Sequence, residues 1–184
     1  MPTPQPFLPH GGSYKNIIAY QKAECVYDVT FYFAHHYLEK GDRTIDQMVQ
    51  AARSGKQNIA EGAAAGNTSK ETEIKLTNVA KASLQELLVD YEDFLRVRGL
   101  KQWQPDDARL AQTKRACAAH NDSEYYRKAM PERSAETIAN IAITLIHQTD
   151  WLLNKLIEKL EIQFVENGGV KEQMTKARKE YRGY

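Results

Sequence analysis

The chain has 184 residues, enough for one domain whose core folds without disulfide or metal cross-links. Its 25 Lys and Arg side chains exceed its 24 Asp and Glu side chains by one, which excludes a global field that attracts nucleic acid or a membrane. No apolar run is long enough for a transmembrane helix, and Cys25 and Cys117 fit neither a disulfide framework nor a metal-ligand spacing. We therefore expect a cytoplasmic protein with buried, reduced thiols.

The first predicted elements are a flexible leader and a helix. Residues 1–13 are rich in proline and lack both a basic cluster and an apolar run, so they do not fit a signal peptide. Helical periodicity follows until Gly41 ends it. The residues that fall on one stripe of this helix 1 are Ile17, Tyr20, Tyr27, Phe31, Ala34 and Leu38.

The second predicted helix has an unusually thin face. Its residues are spaced by 4, 3, 4 and 3 positions and are Met48, Ala52, Gly55, Ile59 and Gly62. Because glycine inside a helix costs about 1 kcal/mol relative to alanine, we expect close contact with another helix backbone to compensate. Thr44 and Gln47 form a capping box that predicts the start of this helix 2.

A second capping box, Thr68 with Glu71, predicts that helix 3 begins almost immediately after Gly66 and Asn67. So short a connection favours an antiparallel hairpin of helices 2 and 3. Helix 3 is expected from about Ser69 to Arg98.

The remaining chain predicts an insertion, a fourth long helix and a tail. Periodicity weakens over residues 100–132, which fits short helical pieces, and returns in helix 4 from about Ser134 to Glu166. A short amphipathic helix is expected within residues 167–184, with one face formed by Val170, Met174, Ala177 and Tyr181. The sequence thus predicts an all-α, up-down-up-down four-helix bundle over residues 14–166, with the insertion between helices 3 and 4.

Two stretches resemble a known family. They run from Asp46 through the segment QAARSGKQNIAEG to Gly62, and from Thr68 through VAKASLQELL to Leu88. They resemble the small four-helix-bundle proteins encoded in intervening sequences of bacterial large-subunit ribosomal RNA genes, and are similar to the accessory bundle protein of diversity-generating retroelements. The segment from Phe164 to Arg178 looks like the C-terminal segment of the four-helix-bundle suffix-domain subfamily.

This resemblance implies an up-down-up-down bundle that assembles into a symmetric ring, commonly a pentamer. The biochemical role of the family is mostly unassigned. The retroelement relatives bind nucleic acid and a reverse transcriptase, and they are strongly basic, whereas this chain is nearly neutral.

Polar residues flank the thin face of helix 2 and the corresponding part of helix 3. They are Asn58, Glu61, Asn78 and Glu86. Because polar groups inside a bundle need partners, we expect a buried hydrogen-bond network that fixes helix register. A subunit contact or a ligand site is the alternative.

Basic residues are concentrated in two stretches. The first contains Arg96, Arg98, Lys101, Arg109, Lys114 and Arg115, and the second contains Lys171, Lys176, Arg178, Lys179 and Arg182. With Trp103, Tyr125, Tyr126 and Tyr181 nearby in sequence, these stretches suit phosphates and stacked bases. Ordinary solvated helix faces and an acidic protein partner are the alternatives.

No motif indicates catalysis. A di-metal bundle site needs Glu-x-x-His pairs, which the sequence lacks, and His35, His36 and His147 are isolated imidazoles. We therefore expect no cofactor and no metal. The sequence predicts a non-enzymatic, self-assembling binding or scaffolding module, with a nucleic-acid-binding accessory factor as the alternative.

Overall fold

The computed structural model describes residues 13–182, and throughout that range the regular structure is helical. The α-helices are α1 (Ile18–Tyr37), α2 (Arg43–Ala65), α3 (Lys70–Val97), α4 (Ala108–Ala119), α5 (Ser123–Ala129), α6 (Ala135–Asn167) and α7 (Val170–Arg182). Short 3-10 turns occur at Tyr14–Asn16 and Met130–Glu132. The predicted all-α class is confirmed. The predicted leader, apart from Ser13, lies outside the described residues.

Four long helices enclose the core. α1 packs against α2 and α6, and α3 packs against the same two helices from the other side. The predicted insertion supplies α4, which packs on α6, and α5, which packs on α1. The insertion therefore covers the side of the molecule where α1 meets α6.

An aromatic cluster within the core joins α1 to α3. The ring of Phe33 lies 4.9 Å from the ring of Tyr91 and 4.7 Å from that of Phe94, measured between centroids. The buried hydroxyl of Tyr91 donates a hydrogen bond of 3.0 Å to Thr30 Oγ1. Tight packing and a satisfied polar pair thus fix α1 against α3.

The face that α1 turns to the core differs from the predicted stripe. Phe31 is 48% exposed and Tyr27 is only half-buried, although Tyr20 and Ala34 are buried as predicted. The core face is formed by Ala19, Ala23, Val26, Thr30 and Phe33. α1 has apolar residues on more than one face, so helical spacing alone did not decide which face packs inward.

Two predicted caps are also corrected. Asp42, not Thr44, caps α2, because its side chain accepts a hydrogen bond of 2.8 Å from the backbone N–H of Thr44. Ser69, not Thr68, caps α3 by accepting a hydrogen bond of 3.2 Å from Thr72 N. A capping residue needs an extended backbone, which Asp42 and Ser69 adopt, and several neighbouring residues of suitable type compete for that position.

The thin face of α2 packs against α3. The structure buries all five of its residues, Met48, Ala52, Gly55, Ile59 and Gly62. A β-carbon on Gly62 would lie 3.3 Å from the backbone oxygen of Glu73, so little space remains for a side chain there. The two helix backbones therefore approach closely at this end of their contact.

Candidate functional site

The predicted buried network of polar residues does not form. Glu61, Asn78 and Glu86 are exposed, because they lie on the outer sides of α2 and α3. Asn78 Nδ2 donates only to a carbonyl of its own helix, Ile74 O, at 3.1 Å. Asn58 is half-buried and is the one member of the set near the helix contact.

A smaller polar contact joins α2 to α3 instead. The hydroxyl oxygens of Ser54 and Ser83 are 2.9 Å apart, across the two helices. Asn58 Nδ2 donates to Ser54 O at 2.9 Å and to Ser54 Oγ at 3.1 Å. One serine from each helix therefore forms the polar contact that was predicted for longer side chains.

Several residues of the first basic stretch are paired with acids. Asp107 forms ion pairs with Arg109 Nη2 at 2.8 Å and with Lys101 Nζ at 3.2 Å. Hydrogen bonds from Arg109 hold the pKa of the Asp107 carboxyl well below its usual range. Arg96 pairs with Asp93 at 2.7 Å, and the Arg98 guanidinium lies 4.1 Å from the centre of the Phe94 ring. This stretch is therefore not a continuous surface of unpaired positive charge.

The second basic stretch lies on α7. Lys171, Lys176, Arg178 and Lys179 are exposed there, and none forms an ion pair with another described residue. Arg182 is exposed as well. No residue of α7 is buried, so the helix presents both its charged and its apolar side chains to solvent.

A large cleft lies between α1, α4, α6 and the loop of residues 98–107. Its volume is about 790 Å³, within the range of about 300–1,000 Å³ typical of ligand sites. The apolar part of its wall includes Ile18, Trp103, Leu110, Ile143, Trp151 and Leu152. The helical insertion therefore builds one side of a cavity that the four long helices alone would not form.

Asn140 on α6 holds Trp103 at the cleft. Its Oδ1 accepts a hydrogen bond of 2.8 Å from Trp103 N, and its Nδ2 donates to Lys101 O at 2.9 Å. Trp103 Nε1 donates to Glu136 Oε1 at 3.4 Å, and the Arg109 guanidinium lies 4.8 Å from the centre of the Trp103 ring. The loop that carries Trp103 is thereby fixed to the first turns of α6.

A buried lysine lies in the wall of the same cleft. Lys22 on α1 is 2% exposed, and its ammonium group donates to Cys117 O and, at 3.1 Å, to His120 O. These carbonyls lie at the C-terminal end of α4, where a positive charge is favourable. Burial lowers the pKa of the Lys22 ammonium.

Two amide side chains at the cleft have buried oxygens without partners. Among the described residues, neither Asn121 Oδ1 nor Gln148 Oε1 has a hydrogen-bond donor. Gln148 Nε2 donates to Lys114 O at 3.0 Å, which fixes the orientation of that amide. Native structures rarely leave buried acceptors unpaired, so these oxygens mark the cleft as a candidate site.

Lys22, Asn121 and Gln148 are not among the site residues predicted from the sequence. A signal was present for Lys22, since this lysine lies beside Ala23 and one turn from Ala19 and Val26, all of which are core residues. A charged residue among core positions needs a specific partner. The other two residues gave no such signal, because Asn121 follows α4 and Gln148 lies on α6, and the two line one cleft only in the folded chain.

Within residues 13–182 no group of three or more His, Cys, Asp or Glu side chains is placed to hold a metal ion. Along the same stretch, no helix has both the length and the apolar character needed to cross a bilayer. Comparisons with models of protein families, with curated proteins and with solved structures give no match.

Proposed function

We propose that this protein is a non-enzymatic helix-bundle protein of the cytoplasm that self-assembles and acts as a binding or scaffolding module. Its four long helices form an up-down-up-down bundle in this proposal. The short connections between α1 and α2 and between α2 and α3 support it, because connections of that length favour antiparallel neighbours.

Exposed apolar side chains on the second half of α6 are the observation that carries the proposal. Trp151 is 60% exposed, Ile162 57% and Val165 83%, and helical spacing places the three on one side of α6. α7 follows with Met174 37% exposed and without a buried residue. Exposed apolar side chains of this size are typical of protein interfaces, and the same surface of a second copy would cover them without another partner.

The family resemblance leads to a more specific form of this proposal. The motifs of residues 46–62 and 68–88 suit membership of the intervening-sequence bundle family, and the segment after Phe164 suits its suffix-domain subfamily. Copies would then be arranged as a symmetric ring, commonly a pentamer, with α7 at or near the subunit contact.

The molar mass in solution tests self-assembly. We expect light scattering to give a multiple of the chain mass of 21.0 kDa for the wild type. Val165→Lys should reduce that mass, because it places a charge on an apolar contact while the isolated chain barely buries the residue. A wild type that stays monomeric at micromolar concentration overturns the proposal.

A matched control separates this interface from a general effect of lost apolar surface. Val89 on α3 is also exposed, at 53%, but it lies on a different helix from the proposed interface. Val89→Lys should leave both the mass and the thermal melting temperature unchanged. Equal dissociation by the two variants would contradict an interface on α6 and α7.

The unpaired basic residues of α7 favour nucleic-acid binding as a second candidate function. Lys171, Lys176, Arg178 and Lys179 supply phosphate contacts, whereas Arg96, Lys101 and Arg109 of the 96–115 stretch pair with acids. We expect single-stranded RNA to bind at low salt and to dissociate as salt rises. The double variant Lys176→Glu/Arg178→Glu should abolish binding, and Lys155→Glu/Lys159→Glu on α6 should retain most of it. No binding of RNA at low salt would discard this candidate.

A further inference from the structure

The cleft between α1, α4, α6 and residues 98–107 combines three features that together describe a ligand. These are unpaired buried acceptors, an excess of positive charge, and both tryptophans of the chain. The proposed self-assembly surface on α6 and α7 shares Trp151 with this cleft, but it includes neither the unpaired acceptors nor the lysines. The cleft therefore calls for a separate explanation.

The unpaired acceptors indicate a ligand that carries N–H donors. Asn121 Oδ1 and Gln148 Oε1 are buried without a donor, and both residues line the cleft. Rotating the Gln148 amide would not remove the problem, because its Nε2 already donates to Lys114 O at 3.0 Å. A bound molecule with amino or ring N–H groups would satisfy both oxygens.

The charge of the lining residues indicates a negative group on that ligand. Lys22 and Lys114 line the cleft, whereas none of its lining residues is Asp or Glu. Lys22 uses its ammonium for two carbonyls, which leaves one of the three donors of an ammonium group. Lys114 is exposed, at the opening of the cleft.

The two tryptophans indicate a planar ligand. Trp103 is 6% exposed and rigidly held through Asn140, while Trp151 is 60% exposed on α6. Both line the cleft, and indole rings stack readily on flat heteroaromatic groups. A volume of about 790 Å³ leaves room for a molecule of mononucleotide size.

We propose that this cleft binds a small, planar, heteroaromatic anion with N–H donors, of the chemical class of a purine mononucleotide. The donors pair with Asn121 Oδ1 and Gln148 Oε1, and the ring lies against the tryptophans. The anionic group lies towards Lys22 and Lys114. The helical insertion is then the element that turns a plain helix bundle into a ligand-binding protein.

Intrinsic fluorescence of the full chain tests this directly, because its only two tryptophans line the cleft. Adenosine monophosphate and guanosine monophosphate serve as probes, and we expect a saturable change with at least one of them at micromolar to millimolar concentration. Three analogues each lack one feature. Adenosine lacks the anionic group, and ribose 5-phosphate lacks the heteroaromatic ring. N6,N6-dimethyl adenosine monophosphate lacks the N–H donors. Each should bind more weakly than adenosine monophosphate if that probe is the one that binds. No saturable response to either mononucleotide overturns the proposal.

Variants on α6 and α4 locate the binding. Gln148→Leu removes one acceptor and should weaken the affinity about five- to tenfold. Lys114→Met removes a charge at the opening and should weaken it about two- to fivefold. Gln163→Leu and Lys159→Met lie on α6 outside the cleft lining and should leave the affinity unchanged. Equal effects of cleft and control variants would overturn the assignment of the ligand to this cleft.

The same titration separates this inference from the proposed self-assembly. The Val165→Lys variant alters the end of α6 and no residue of the cleft lining. It should therefore bind the mononucleotide as the wild type does, whatever its oligomeric state. Loss of binding in that variant alone would place the ligand at the subunit contact and contradict the cleft site.

Discussion

Leu84 fills the space that a side chain on Gly55 would need. Its Cδ2 lies 2.7 Å and its Cγ 2.8 Å from the position of a β-carbon on Gly55, and Leu84 is fully buried. The contact between α2 and α3 therefore depends on the absence of a side chain at Gly55, as it does at Gly62.

Gly55→Ala tests that contact. We expect a net loss of about 1–2 kcal/mol in the free energy of unfolding, because overpacking a core typically costs about 1–3 kcal/mol and alanine regains about 1 kcal/mol of helix propensity. Denaturation by urea measures the change. In a Leu84→Ala background the clash is absent, so the same substitution should be neutral or stabilising. An equal loss in both backgrounds would contradict the contact.

Ser83→Ala tests the hydroxyl pair that joins α2 to α3. Ser83 loses its 2.9 Å contact with Ser54, which should lower the free energy of unfolding by about 0.5–1.5 kcal/mol. Asn78→Ala is the matched control on the same helix, since Asn78 is exposed and bonds only within α3. It should change stability by no more than about 0.5 kcal/mol. A larger effect at Asn78 than at Ser83 would restore the network predicted from sequence.

A double-mutant cycle on Tyr91 and Thr30 tests the buried hydrogen bond between α3 and α1. Thr30→Val leaves the Tyr91 hydroxyl buried without a partner and should cost about 1–3 kcal/mol, whereas Tyr91→Phe should cost about 1 kcal/mol. The double variant should lose less than the sum of the two, because no polar group is then orphaned. Additive losses measured by urea denaturation would mean that the two side chains do not interact.

Asn140→Ala tests how the Trp103 loop is held. The substitution orphans the N–H of Trp103 and the carbonyl of Lys101, and we expect a loss of about 2–4 kcal/mol in the free energy of unfolding. Amide exchange of Trp103 should also become faster, which hydrogen exchange measures. Asn167→Ala, at the exposed end of the same helix, is the control and should leave Trp103 protected. Unchanged exchange in Asn140→Ala would show that the loop has another anchor.

Stability should fall as the pH rises from about 9 towards 12. Burial raises the pKa of Cys25 from its usual 9.0 to about 12 and that of Tyr20 from 10.0 to about 12, and burial also raises the pKa of Tyr91. The unfolded chain then releases these protons at a lower pH than the folded chain, so rising pH favours unfolding. Lys22 acts in the opposite sense, since burial lowers its pKa in the folded chain. The thiol and the two phenols with raised pKa values outnumber this one lysine, so the net effect of rising pH is destabilising.

Urea denaturation at a series of pH values measures this slope. Cys25→Ala removes one ionising group and should make the decline between about pH 9 and 12 shallower. The comparison concerns the slope, so the stability lost at neutral pH through the smaller side chain does not affect it. A wild type whose stability is constant or rises over that window would contradict the buried, protonated state of these side chains.

Helix positions could be predicted closely because they depend on local sequence. The predicted helix 3, from Ser69 to Arg98, differs by one residue at each end from the observed Lys70–Val97, and Gly99, with φ of +64°, follows it. The exact caps could not be predicted, since Thr44 and Thr68 offer the same chemistry as Asp42 and Ser69. Only the backbone geometry at the helix start decides between such neighbours.

The candidate site was far less accessible to sequence reasoning. Its residues come from α1, the 98–107 loop, α4 and α6, and Lys22 and Cys117 are 95 positions apart. No local pattern links such distant positions. The sequence also did not predict that Phe31, Glu61 and Glu86 are exposed. The reason is related, because the rotation of a helix about its axis is fixed by the elements it packs against.

The sequence by itself determined that this chain is helical, where its long helices lie, and that α2 carries a face thin enough for close packing. Periodicity, turn residues and small side chains act over a few residues, so the chain order alone reveals them. The tertiary structure decided which faces turn inward, which charges are neutralised, and that two tryptophans, a buried lysine and two unpaired amide oxygens share one cleft. Those outcomes depend on contacts between residues far apart in the chain, which form only when the helices pack.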